Sequence, residues 1–148
     1  MTTNEPPALR VMTLIGIIAQ LNDAALTRAI GDDLSLAGFR VLHHFVVRGV
    51  EGQSPSSLAT SFQVTKGAMT NTLQRLEAKR YVKIAADPGD GRGKVVRITQ
   101  AGRAARDRAF AAMAPEFAAL MRKVPAASFA AALPFLEQLK DVMDAARD

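Results

Sequence analysis

Apolar residues recur at helical spacing over most of the chain, with one interruption by strict alternation. From Pro7 to Ile30, Leu14, Ile15, Ile17, Ile18 and Leu21 cover more of a helix than one core-facing stripe needs, which predicts a first helix buried on several sides. Ser35 is placed to cap a second helix carrying Phe39, Leu42, Phe45 and Val46, closed by Gly49 and Gly52. Ser54-Pro55 opens a short helix ending near Phe62, because serine oxygen accepts from an orphan amide while proline at the first helical position loses no hydrogen bond. Thr65 caps the next helix, whose Met69, Leu73 and Leu76 form a buried stripe and leave Lys66, Thr70, Asn71, Gln74 and Arg75 outside. Periodicity then switches to two: Tyr81 to Ala85 and Lys94 to Ile98 predict paired strands with Val82, Ile84, Val96 and Ile98 inward. The loop between them is rich in Asp, Pro and Gly.

Thr99 caps a further helix that runs to Met113, kinks or is briefly interrupted at Pro115, continues through Phe117, Leu120 and Met121, and breaks at Val124-Pro125. The last segment places Phe129, Leu133, Leu136, Leu139 and Met143 along one side, with a second kink at Pro134. The predicted fold class is therefore mainly α with a small β-hairpin wing (α+β): a winged helix-turn-helix over residues 35–99 within a single unit, 1–148. The apolar terminal helices, 7–30 and 100–147, exceed what so small a unit can bury, and their economical use is dimerisation.

Charge changes this picture. Between Ser54 and Arg106 ten Lys or Arg face three acids, a balance of +7, whereas the rest of the chain is at −2. The excess positive charge thus lies in the segment whose shape suits a DNA groove, and double-stranded DNA is the expected partner. Asn71 and Gln74 suit bidentate contact with adenine, Arg75 and Lys66 guanine or phosphate, and Thr65 and Thr70 phosphate or a thymine methyl. Arg92 is expected at the wing tip, entering a narrowed minor groove or else pairing with Asp90, a turn former; Lys94 follows it on the wing. Lys83 and Arg97 are either outward strand positions or phosphate contacts.

Other classes of function find little support. There are no cysteines, so thiolate zinc sites, disulfides and thiol redox sensing are excluded. His43 and His44 are neighbours on one helix and diverge by about 100°, which argues against a shared metal. Neither a Gly-rich phosphate loop nor a nucleophile elbow nor a His-Glu-x-x-His motif is present, so no enzyme, metal or cofactor is expected. The start is polar without Lys or Arg, and Thr13, Gly16 and Gln20 interrupt the apolar run from Val11 to Leu21; neither a signal peptide nor a membrane span is expected, and a cytoplasmic protein is.

The wing motif, Asp90-Gly91-Arg92 ahead of Ile98-Thr99, with Asp87-Pro88 upstream, Thr99-Gln100-Ala101-Gly102-Arg103 after it and Leu76-Glu77-Ala78-Lys79 before, resembles the MarR-type transcriptional regulators over nearly the whole chain. Three positions depart from that pattern: Asn71 where Arg is frequent, Gly91 where a second basic residue is common, and Arg80 where the helix usually ends on Gly. The resemblance implies an obligate homodimer with interleaved first and last helices, and a ligand cleft between that layer and each reading lobe. It also implies a repressor released by a small, often aromatic and acidic, effector; activators and ligand-independent members are alternatives, as is a winged helix that binds protein. Phe39, Arg40 and His43 are the cleft residues carried over in this way. In a two-fold dimer the reading helices would lie about 34 Å apart, on a near-palindromic operator.

Overall fold

The computed structural model describes residues 4–147, except for the side chain of Asp90. Six helices and one hairpin follow in the order α1 (Pro7–Ile30), α2 (Leu36–Arg48), α3 (Pro55–Phe62), α4 (Lys66–Ala78), β1 (Val82–Asp87), β2 (Asp90–Ile98), α5 (Gln100–Lys123) and α6 (Ala126–Ala145). The expected fold class, mainly α with a two-stranded wing, is the one observed. The chain divides into two compact units, residues 1–113 and 114–148.

Helix starts obey local chemistry. The side chains of Ser35, Ser54 and Thr65 accept from the backbone N–H of Gly38, Ser57 and Ala68 at 3.0, 3.1 and 3.1 Å. The core of the first unit is built from Val41, Leu42 and Phe45 of α2, Leu58 of α3, Met69, Leu73 and Leu76 of α4, and Val82 and Val96 of the hairpin. It also holds Ala105, Ala109 and Met113 of α5.

The antiparallel ladder runs in regular register from Val82↔Ile98 to Ala86↔Lys94, then slips so that Asp87 faces Asp90. Strand backbone therefore extends further into the Asp/Pro/Gly segment than alternation predicts, and only Pro88 and Gly89 form the turn. The Asp87 carboxylate fastens that turn by accepting from the Gly89 N–H at 3.0 Å. Gln53 adds a bridge on the other side of β2, exchanging two backbone hydrogen bonds with Val96 at 3.1 and 2.8 Å.

The junction of α4, β1 and α5 is the most constrained point. Two residues past the end of α4, Arg80 lies in the left-handed region (φ 62°), the position where a glycine is the expected pattern. Thr99 then bonds three ways: its hydroxyl donates to the Arg80 carbonyl at 2.6 Å, its oxygen accepts from the Gly102 N–H at 3.0 Å, and its own N–H donates to the Tyr81 carbonyl at 3.0 Å. α5 approaches so closely that a Cβ on Gly102 would stand 2.1 Å from the Tyr81 carbonyl oxygen.

α5 continues through Pro115 and α6 through Pro134, so the brief interruption that was one alternative at Pro115 is absent: a missing N–H removes one bond while its neighbours continue the ladder. α1 is not buried on several sides within one chain: only Leu26 is buried, and Leu9, Met12, Leu14, Ile17, Ile18 and Leu21 are exposed. Among the described residues α1 is also the one helix long and apolar enough to cross a membrane by length and composition, despite its polar interruptions. In the second unit α6 has no buried residue, and Phe129, Leu133, Phe135, Leu136, Val142 and Met143 are exposed.

Substitutions at the junction have opposite expected signs. Gly102→Ala forces backbone apart and is expected to cost about 3 kcal/mol or more, whereas Arg80→Gly relieves a left-handed side-chain penalty and should gain roughly 0.5–1 kcal/mol after its entropy cost. Chemical denaturation of the two variants against the parent measures both.

Candidate nucleic-acid interface

α4 presents its polar residues as a sloping face. Its stripe of Met69, Leu73 and Leu76 is buried, and Lys66, Thr70, Asn71, Gln74 and Arg75 are all exposed. With about 100° between successive residues, Asn71 and Gln74 fall near the crest opposite that stripe, alongside Gly67 and Ala78. Small residues there let a helix approach close to an opposing surface while the two amides project. Thr65 keeps a free role for its hydroxyl proton, because its oxygen serves the helix cap as acceptor.

The flanks differ, which the sequence did not reveal. Thr70 and Gln74 slope toward the wing and share with Lys94, Ile84 and Ala86 a hollow of about 400 Å³. Arg75 slopes the other way, into a hollow of about 530 Å³ lined also by Asp32, Ser35, Thr72 and Lys79. Lys79 is drawn off the face: its ammonium pairs with Asp33. Asp33 also accepts from the Tyr81 hydroxyl at 3.0 Å and lies 3.7 Å from Arg108. That hydroxyl first, then Lys79 and Arg108, hold the Asp33 carboxyl below its ordinary value.

The wing carries Arg92 and Lys94 exposed on β2. Arg92 stands within the slipped part of the ladder, between Gly91 and Gly93, rather than in the turn itself; such irregularities re-aim a side chain and bend a strand. The expected pairing of Arg92 with Asp90 lies outside the described side chains. Lys83 and Arg97 sit directly opposite one another on the exposed face of the hairpin. Like charges so placed repel, and a polyanion relieves the repulsion.

The carried-over cleft residues are only partly brought together. Phe39 is buried and its ring stacks on His43 at 5.3 Å, while Arg40 turns to α1 and pairs with Asp23 at 2.6 Å. His43 gains neighbours no spacing predicted: Phe110 stacks at 6.2 Å, and Arg106 Nε donates to His43 Nδ1 at 3.1 Å. Partial burial, reinforced by Arg106, keeps this imidazole's pKa below its ordinary value. The Arg106 guanidinium also lies 4.8 Å from the Phe110 ring centre. His44 is structural, bonding Gln53 at 2.8 Å and meeting Phe62 edge-on, while Gln53 donates in turn to Ser57 at 2.8 Å. Among the described residues no group of three or more His, Asp or Glu is placed to hold a metal.

Residues 32–93 match the model of the MarR family. Whole-chain similarity extends further. The transcriptional regulator BldR from Sulfolobus solfataricus is 25% identical, with 97% of this chain and 99% of that one covered and a TM-score of 0.78. Apo MarR from E. coli is 25% identical, with 93% and 98% covered and a TM-score of 0.76. A cysteine-to-serine mutant of E. coli MarR complexed with operator DNA is also 25% identical, with 89% and 94% covered and a TM-score of 0.76. Among curated proteins none matches the sequence. These matches take in nearly the full length of the chain, terminal helices included, and the family is one of transcription regulators rather than enzymes. Residues 32–93 thus match the MarR family, and over nearly its full length the chain is similar to winged helix-turn-helix, DNA-binding transcriptional regulators of that kind.

Proposed function

We propose that this regulator acts in the cytoplasm as a homodimeric repressor, reading a near-palindromic operator with paired α4 helices and wings and letting go when a small aromatic acid binds. The observation that carries the operator reading is the α4 crest, where Asn71 and Gln74 project between Gly67 and Ala78 with cationic wing residues beyond. Major-groove edges of adenine match such amides, and Arg92 and Lys94 match a phosphate-lined groove. The related E. coli MarR was crystallised on operator DNA.

The dimer is supported by the unpartnered apolar faces of α1 and α6, which a second copy would cover. Residues 7–30 and 100–147 are then the dimerisation segments flanking a reading lobe at 35–99, and no membrane is needed to shelter α1. The effector reading is supported by the Phe39–His43–Phe110 stack beside Arg106, which offers aromatic surface and a guanidinium to a ring bearing a carboxylate. Arg40, paired with Asp23, and the Nη1 of Arg106, paired with Asp107 at 2.9 Å, would both have to exchange partners to take part.

Asn71→Ala or Gln74→Ala should cost about 1–3 kcal/mol on the preferred site and flatten preference at single base pairs. Lys94→Ala should weaken all sequences alike and lower the slope of log K against log salt by about 0.9 for each of the two copies in the dimer, about 1.8 in all. Titrations of matched and scrambled duplexes over a salt series separate these outcomes. Leu21 and Leu133 are 66% and 54% exposed in the single chain, so glutamate at both leaves its own core intact; sedimentation should then report a folded monomer in place of a dimer.

A further inference from the structure

Glu77 stands where a carboxylate works against the lobe's purpose. It lies on the flank of α4 facing the wing, bordering the hollow shared by Thr70, Gln74 and Lys94 and, beyond it, a second one lined by Arg80 and Lys83. A negative charge there repels any phosphate drawn toward those cations. Its contact accounts for its presence: Oε2 accepts from the backbone N–H of Ile84 at 3.1 Å. β1 has a single neighbour, β2, so its other edge presents backbone groups the sheet does not satisfy. Glu77 takes one of these from the side of the recognition helix.

We propose that Glu77 is a positioning residue that ties the free edge of β1 to α4 and so fixes how far the wing lands from the bases α4 reads. Between the two bonded groups the chain passes through the left-handed Arg80, and the hairpin base is held by buried Val82 and Val96 and by the Gln53 bridge to β2, none of which bonds the free edge of β1 to α4. The Glu77 tether, two residues further along β1 than the Val82↔Ile98 pair, supplies that bond, opposite the level at which Gln53 holds β2. The proposal rests on the reading of α4 and wing given above, and it makes one residue that touches no base a determinant of spacing.

Two measurements on Glu77→Ala, Glu77→Gln and the parent test it. Hydrogen exchange at the Ile84 amide, with Leu73 as a core control, should quicken roughly five- to tenfold in the alanine variant only, the size expected for one hydrogen bond lost. Selection of sites from random duplex DNA should show the alanine variant retaining the bases read by α4 while losing preference in the flanks where the wing lands. The glutamine variant keeps an acceptor oxygen; it should keep both preferences and bind more tightly at low salt, the gain shrinking as salt rises. Unchanged exchange at Ile84, or equal loss of central and flanking preference in the alanine variant, overturns the proposal. If the parent itself shows no flanking preference, the wing reading fails and the spacing role falls with it, while the exchange result still reports whether the tether exists.

Discussion

The close approach of α5 to the Arg80–Tyr81 backbone is the constraint from which the reading lobe takes its shape. Thr99 links the end of the recognition helix, the base of the wing and the first turn of α5, and Gly102 is the only residue type that lets them meet. Because the three elements share one set of backbone groups, the lobe cannot shift its helix without shifting its wing. Asp33, bonded to Tyr81 and paired with Lys79 next to that junction, ties the α1–α2 connection to the same point.

Function follows from which side chains this arrangement leaves unused. The core consumes the apolar stripe of α4, so what remains outside is amide, hydroxyl and cation, aimed together. Phosphate attraction alone would give affinity without discrimination, and in the proposed reading the amides at the crest are the groups that tell one base pair from another. The exposed apolar faces of α1 and α6 are the complementary remainder: hydrophobic surface in excess of the chain's own core, as a protein built to associate would carry.

Much of this was legible in the sequence because it is local. Ser35, Ser54, Thr65 and Thr99 mark helix starts by hydrogen bonds that reach only three residues, and the stripe of Met69, Leu73 and Leu76 follows from helical period alone. The wing was legible from alternation, although its strands run closer to the turn than alternation alone predicts, since backbone pairing continues where side chains stop alternating. Contacts between distant segments were not legible. Nothing in the spacing of Glu77 and Ile84, Gln53 and Val96, or His43 and Arg106 predicts that they touch, and the division of α4 into a wing flank with Thr70 and a far flank with Arg75 depends on what packs beside the helix. The burial expected of α1 is not met within one chain for a related reason: periodicity reports that a face is apolar, not which chain covers it.

Hydroxyl-radical footprinting of the full-length protein on a duplex recovered by selection tests the central claim most directly. Two protected patches on one face of the helix, centred about 10 base pairs apart and related by two-fold symmetry, are the predicted result. A single patch, or uniform cleavage at low salt with no protection at all, would contradict it.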